Sequence, residues 1–341
     1  MQPFLLYFIL SQNKDQSMLS FKDILQRIEE EISNLQFNYP PKSLYDPIEY
    51  ILSLGGKRIR PALTLMACNI YNASIENAIK PALGLEVFHN FTLLHDDLMD
   101  EADKRRNKPT VHKVWNANTA ILSGDAMLIA AYQLIGETEA RHLKEILDLF
   151  TVTALEICGG QQYDMEFESR MDVSEAEYIE MIRLKTAVLL ACSLKTGAIL
   201  GGATESDANN LYQYGIYIGL AFQLQDDLLD VYGDTATFGK NIGGDILCNK
   251  KTFLLVNALH LASKEQKETM NLWFGKKTYK PEEKIASFTH IYDQLNLKTL
   301  TENKIQSYYD EAMKCLDQLS VSDEKLYVLK DVCDCLMNRQ S

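Results

Sequence analysis

Apolar residues recur three and four positions apart along almost the whole chain, the spacing of one helical face. From about Leu19 to Leu35 they fall at Phe21, Ile24, Leu25, Ile28, Ile32 and Leu35 with acids between them, and Pro40-Pro41 stops that helix. A second helix is expected from about Leu44 to Leu54, broken at Gly55-Gly56. A third follows through Ile70 with Pro61 in its first turn. Pro81 is expected to open a fourth, which carries Leu85, Phe88, His89 and Thr92 up to an acidic run at Asp96. Further helices are predicted over Thr119 to Leu134, Glu139 to Cys158 (stopping at Gly159-Gly160), Ser174 to Leu200 (stopping at Gly201-Gly202) and Asn209 to Tyr232. The pattern stays helical beyond Thr252, with a polar interruption at Gly275-Lys276-Lys277-Thr278 and a last helix near Asp323 to Met337. No strand-like alternation of useful length is present, and no Pro/Ser-rich linker divides the chain. The pattern predicts an all-α fold, one large bundle of ten or more helices over residues 19–341, with residues 1–18 an N-terminal extension. Met18 is a second candidate start, which would leave residues 1–17 outside the protein.

Composition narrows the function. The 341 residues are 46% apolar and 24% charged, the balance of a globular protein. The formal net charge of −13 argues against a nucleic-acid surface, which needs a basic stripe. That charge suits anionic substrates only if metal ions reverse the local sign. Seven dispersed cysteines (Cys68, Cys158, Cys192, Cys248, Cys315, Cys333, Cys335), with no CxxC, read as reduced thiols of a cytoplasmic protein. No uninterrupted apolar run reaches the roughly 18–20 residues of a membrane span. The apolar stretch from Phe4 to Leu10 is short and lacks a cationic flank and a small-residue cleavage site, so it does not read as a signal peptide. GxGxxG, P-loop and G-x-S-x-G signatures are absent.

Two matched runs carry the chemistry. Leu94-His95-Asp96-Asp97-Leu98-Met99-Asp100 and Leu224-Gln225-Asp226-Asp227-Leu228-Leu229-Asp230 share one pattern, and both close apolar helical stretches. Each is expected to put three carboxylates on one side of its helix: Asp96, Asp97 and Asp100, then Asp226, Asp227 and Asp230. Like charges four apart weaken a helix by roughly 0.2–0.5 kcal/mol, so a cation is expected to offset them. Oxygen donors with no Cys or His at ligand spacing favour a hard ion, Mg²⁺ before Zn²⁺. Mg²⁺ is usually held by one or two carboxylates plus substrate phosphates, so a phosphorylated substrate is implied. A solvated acidic face would explain one such run, but two copies embedded in apolar sequence fit it poorly.

Basic residues cluster around these runs. Gly55-Gly56 with Lys57, Arg58 and Arg60 at a helix start make a candidate anion site; a helix-breaking loop with solvated basics is the alternative. Arg105-Arg106 follow the first run, and paired arginines suit bidentate phosphate binding. Lys185-Thr186 interrupt an apolar stretch, where a lone lysine usually reaches out to water. The glycine-rich stretch Gly233 to Asp245, flanked by Lys240, Lys250 and Lys251, is a connector or a lid whose lysines reach phosphate.

In order along the chain stand G-G-K-R-x-R-P, D-D-x-x-D with R-R nine residues on, G-Q-x-x-D, K-T, F-Q-x-Q-D-D-x-x-D, and a G-K…G-G-D…K tail. With these the chain resembles the trans-type isoprenyl diphosphate synthases, the polyprenyl synthetases. The match runs from about Gly55 to Thr252 by motif. The resemblance implies helices around a central apolar cavity. It implies that the two aspartate runs face each other and hold three Mg²⁺ ions, for which Mn²⁺ can substitute, on the diphosphate of an allylic substrate. Arg105, Lys185 and Lys240 would bind that diphosphate, and Lys57, Arg60, His89 and Arg106 that of isopentenyl diphosphate. Thr186, Gln223 and Lys250 would join the allylic site, with Gln161 and Asp164 behind it. Family members are usually homodimers.

The residue chemistry agrees. Breaking an allylic C–O bond needs the departing charge stabilised, and the resulting cation needs a dry cavity. No protein base for the final proton loss is evident, and in the family the released diphosphate is thought to take it. The family reads the position five before the first aspartate as a floor for the growing chain, here Phe91, followed by Thr92. Phe-Thr with an uninserted motif resembles the geranylgeranyl (C20) type; the farnesyl (C15) type is the alternative. At about 100° per residue, His89 and Thr92 share the face of Asp96, and Phe88 lies nearer that face than Phe91. Phe88 is therefore a second candidate floor. A terpene cyclase or squalene-synthase-like enzyme would not need the isopentenyl site, and a non-catalytic partner subunit would usually lose one aspartate run.

Overall fold

The apolar periodicity becomes a succession of helices joined by short turns. A computed structural model describes residues 18–233, 242–276 and 278–337. The helices are α1 (Phe21–Ser33), α2 (Lys42–Ser53), α3 (Ile59–Tyr71), α4 (Glu76–Met99), α5 (Val111–Val114), α6 (Ala117–Gly136), α7 (Ala140–Ser169) and α8 (Glu175–Ile182). A π-helical turn, Arg183–Ala187, joins α8 to α9 (Val188–Gly201). There follow α10 (Glu205–Tyr232), α11 (Gly244–Leu247), α12 (Phe253–Leu261), α13 (Lys264–Gly275), α14 (Pro281–Gln294), α15 (Leu297–Asp317) and α16 (Asp323–Met337). Among the described residues the only sheet is a two-residue hairpin, β1 (Lys104–Arg105) with β2 (Lys108–Pro109). The all-α expectation holds.

Four boundaries differ from the expected ones. Pro81 lies inside α4, which begins at Glu76. Helix α7 runs straight through Gly159-Gly160 to Ser169, because Gly160 is a packing residue and not a stop. A Cβ there would lie 2.4 Å from the Lys185 backbone nitrogen, whereas at Gly159 nothing comes within 4 Å. The stretch beyond Thr252 also breaks near Ala262 and near Asn296, which takes φ +53°.

Helices α3 and α9 are buried nearly all round, as helices apolar on every side must be. They form the centre, with α4, α7 and α10 packed against them. Glycines set the spacing: a Cβ at Gly197 would lie 2.0 Å from the Thr64 carbonyl oxygen, and one at Gly215 would lie 2.4 Å from the Ala191 Cα. One continuous core extends from Met18 to Cys333, and a second apolar cluster joins α11 to α14 around Ile246, Leu255, Phe288 and Tyr292. Two helical stretches are long and apolar enough on average to span a membrane, although neither is an uninterrupted apolar run. Of these, Glu175–Gly201 is 83% buried, as a core helix is, while Ala117–Gly136 is only 39% buried.

Gly159→Ala is expected to stabilise the protein by about 0.5–1 kcal/mol, the helix-interior gain of alanine over glycine. Gly160→Ala is expected to destabilise it by about 1–3 kcal/mol through overpacking. Urea denaturation of the two variants measures both. Equal effects would mean that α7 does not approach the π-turn as described.

Candidate active site

Both aspartate runs sit where their helices end. Asp100 is the C-cap of α4, and Asp230 lies in the last turn of α10. The negative end of each helix dipole therefore adds to the mutual repulsion of the carboxylates. The three carboxylates of each run do not share one exposed side, as the pattern suggested. Asp96 and Asp100, four apart, are partly or fully open to solvent, and so are Asp226 and Asp230, while Asp97 and Asp227 turn inward at 4% and 2% exposure. The reason is the helical step: the middle residue lies about 100° round from the first.

The inward pair is fully engaged. Arg105 Nε lies 2.9 and 2.8 Å from the two Asp97 oxygens, and its second guanidinium nitrogen lies 2.7 Å from one of them. Asp227 accepts from the Tyr178 hydroxyl, from Gln223 Nε2 at 3.2 Å and from the Phe253 backbone N–H at 3.1 Å. Burial, followed by the charge of Asp245, pushes Asp227 up to about 7. The same two causes push Asp230 up to about 6, and burial with the Asp96 charge raises Asp100. A cluster of acids held this high is one that positive charge would relieve.

Lysines cross the space between the runs. Lys185 Nζ donates to Asp164 at 2.6 Å and to Asp96 at 3.3 Å. The π-turn aims it there: the wider turn carries both Lys185 and Thr186, whose hydroxyl donates to Gln223 Oε1 at 3.2 Å. Although burial pulls the other way, the charges of Asp245, Asp164, Asp227 and Asp96 hold Lys250 protonated well above the usual lysine range. Lys185 thus reaches the first run while its neighbour Thr186 reaches Gln223, which donates to Asp227 of the second, so both runs border the same space. Gln161 is close by, with Nε2 3.8 Å from the Met99 sulfur. Lys240 falls outside the described residues, as does most of the glycine-rich stretch that holds it.

A second, cationic group lies beside the first run. Arg60 Nη1 is 3.1 Å from His89 Nε2, and Arg60 Nε is buried without a hydrogen-bond partner. Burial and the neighbouring Arg106 lower the Arg60 guanidinium to about 10. Burial and the charges of Arg60 and Arg106 hold His89 well below its ordinary value, so the imidazole is neutral. A guanidinium only donates, so Nε2 accepts and the ring proton sits on Nδ1. Arg106, at φ +52°, packs against Gly56, where a Cβ would lie 2.8 Å from its guanidinium. Lys57 is half-buried in the same loop.

Below the acids lies an aromatic string. Phe88 is 1% exposed, with ring centroids 5.5 Å from Phe91 and 5.0 Å from Phe150. Phe91 is half-buried against His95, 4.8 Å away, and the Thr92 hydroxyl donates to the His89 carbonyl at 2.8 Å.

Several residues that hold these groups have another role than the sequence suggests, as Arg58 of the expected anion site does, or no expected role at all. Arg58, 4% exposed and at φ +49°, donates to Glu86 at 2.8 Å, to Glu29 at 2.9 Å and to the Leu52 carbonyl at 2.8 Å. It anchors the loop that presents Lys57 and Arg60. Asp245 ties α11 to the second run, its backbone N–H donating to Asp230 Oδ2 at 3.0 Å. Tyr178 carries no motif signal, and Glu86 was hidden in an apolar stretch.

A family model described as polyprenyl synthetase matches residues 41–292. The geranylgeranyl diphosphate synthase of Methanosarcina mazei is 36% identical over 302 residues, covering 88% of this chain and 91% of that one. A crystal structure of a geranylgeranyl pyrophosphate synthase superposes with a TM-score of 0.89 at 44% identity, covering 95% of this chain and 100% of that one. A polyprenyl synthase from Caulobacter crescentus, crystallised with calcium and isoprenyl diphosphate, has a TM-score of 0.82 at 27% identity, covering 93% and 95%. The chain belongs to the polyprenyl synthetase family.

The unfolded-chain value of an aspartate is about 3.9. Between that value and about 7, the folded chain holds more protons at Asp227 than the unfolded chain does, so this group's contribution to stability is lost as pH rises through that window. Without divalent cations, Asp227→Asn is therefore expected to lose less melting temperature than the unsubstituted protein across it. Parallel melting curves against pH would contradict the raised value.

Proposed function

We propose that the chain condenses isopentenyl diphosphate with an allylic diphosphate of C5 to C15, giving an all-trans prenyl diphosphate, geranylgeranyl diphosphate (C20) in particular. The observation that carries the reading is the pairing of an acidic cleft, where Lys185 and Lys250 meet the carboxylates, with a separate cationic one, where Arg60 keeps an unpartnered buried donor. The second of these suits an anion, and the first suits an anion brought in with cations.

The donor set fits Mg²⁺. The outward carboxylates Asp96, Asp100, Asp226 and Asp230 are hard oxygen ligands. Among the described residues no three acids, histidines or cysteines gather closely enough to hold a metal alone, which suits an ion whose coordination a diphosphate completes. Bound there, Mg²⁺ (three ions, with Mn²⁺ as substitute) would neutralise charge building on the departing diphosphate. Asp97 and Asp227 are assigned to orienting Arg105 and the end of α10. Arg105, Lys185, Lys250 and, outside the described residues, Lys240 take the allylic diphosphate, with Thr186, Gln223, Gln161 and Asp164 around them. Lys57, Arg60, Arg106 and the Nδ1–H of neutral His89 take isopentenyl diphosphate. With the leaving group held by fixed cations, C–O cleavage leaves an allylic cation over the aromatic string, where exclusion of water lets the alkene attack first. Phe91, Phe88 and Thr92 limit its length.

Residues 19–341 are assigned to this one activity. Leu122 and Ile129 on α6, with Val152 and Leu155 on α7, are between 57% and 70% exposed. That apolar face, on the stretch only 39% buried, suits a second copy of the chain, as in a homodimer. The six described cysteines are free, in keeping with a reducing, cytoplasmic location.

Incubation with isopentenyl diphosphate, Mg²⁺ and C5, C10 or C15 primers, read by mass spectrometry, is expected to yield C20 and to yield nothing with chelator. Phe91→Ala is expected to give longer chains. If Phe91→Ala leaves length unchanged and Phe88→Ala extends it, the floor is Phe88.

A further inference from the structure

Two buried lysines hold the turn after α11, and neither has a place in the site described above. Lys284, on α14, is 1% exposed. Its Nζ donates to the Leu247 carbonyl at 3.0 Å and to Asn249 Oδ1 at 2.6 Å. The rings of Tyr279 and Phe288 lie 5.2 and 6.0 Å from it. Among the described residues no carboxylate pairs with it. On the other side Lys251, 5% exposed, donates to the Glu168 carbonyl at 3.3 Å and more loosely to the Asn249 carbonyl at 3.5 Å.

Stability does not account for this arrangement. An ammonium buried against carbonyl oxygens and rings without a counter-charge is costly, and its two hydrogen bonds do little more than offset that cost. What Lys284 does secure is geometry. Asn249 takes φ +56°, a conformation in which asparagine is tolerated and most residues are not. The next residue is Lys250, whose backbone N–H donates to the Asp245 carbonyl at 3.0 Å and whose Nζ lies 3.9 Å from the Asp245 carboxylate. Asp245 is tied in turn to Asp230. The segment from Asp245 to Asn249 is therefore pinned at one end to the second aspartate run and at the other to Lys284, and Lys250 follows directly on it.

We infer that Lys284 is a positioning residue: through Leu247 and Asn249 it fixes the turn that aims Lys250 between the two aspartate runs. This rests on the reading that the cleft binds a diphosphate. It assigns to α14 a share in substrate affinity that no feature of its sequence announces.

A double-mutant cycle on the full chain tests it, with inorganic pyrophosphate plus Mg²⁺ as probe, calorimetry for affinity and thermal melting for stability. Lys284→Met is expected to weaken binding about tenfold, the scale of a lost charge-assisted contact, with melting changed little, because the lost hydrogen bonds and the relieved burial of a charge oppose each other. Lys250→Ala is expected to weaken it at least as much. In the Lys250→Ala background, Lys284→Met is expected to cost less than about twofold more, because the side chain it positions is gone. Asn249→Gly, which keeps the backbone conformation and removes the acceptor, is expected to reproduce part of the loss should Lys284→Met fail to fold. Affinity unchanged in Lys284→Met, or in Asn249→Gly if only that variant folds, would overturn the inference, as would losses that multiply in the double variant. An unsubstituted protein that does not bind Mg²⁺-pyrophosphate at all would overturn the reading of the cleft itself, and this inference with it.

Discussion

Two clusters of carboxylates are placed where helices least favour them. Each acid near a helix C-terminus faces the negative dipole end at a cost of about 0.3–1 kcal/mol, before its like-charged neighbours are considered. The chain accepts this twice, at Asp100 and at Asp230, and answers it with cations from elsewhere: Arg105 from the β-hairpin, Lys185 from the π-turn and Lys250 from the turn after α11. Several unusual features of the backbone serve those three side chains. The π-turn aims Lys185, the left-handed residues Arg106 and Asn107 close the hairpin that carries Arg105, and left-handed Asn249 precedes Lys250.

The framework that brings the acids together is made of small residues. Gly197 on Thr64, Gly215 on Ala191 and Gly160 on Lys185 are approaches that no Cβ could enter without displacement. Close helix packing of this kind fixes distances to fractions of an ångström, which a site built from many separate segments requires. The division within each aspartate run follows from the same rigidity. The middle acid is drawn into the protein, and the outer two are left partly or fully open.

The helical pattern was legible because the apolar spacing is strong, and the outer acids were legible because their motif repeats. Gly159-Gly160 misled because a helix-stopping pair and a packing pair look alike in sequence; only the neighbouring π-turn tells them apart. Arg58 was assigned to a general basic patch, since nothing local reveals that Glu29 and Glu86 fold back onto it. Tyr178, Asp245 and Lys284 act through tertiary contacts with residues far along the chain, and such contacts leave no periodic trace. Proline favours the first turn of a helix, yet five residues precede Pro81 in α4.

The central claim is that the two runs hold metal ions on one and the same diphosphate. A crystal structure with Mn²⁺ and inorganic pyrophosphate, using anomalous scattering to locate the metal, tests it most directly. The account predicts metal at Asp96 and Asp100 and metal at Asp226 or Asp230, joined by one pyrophosphate that Lys185 and Lys250 also touch. Metal at one run alone, or pyrophosphate bound away from both, would contradict it.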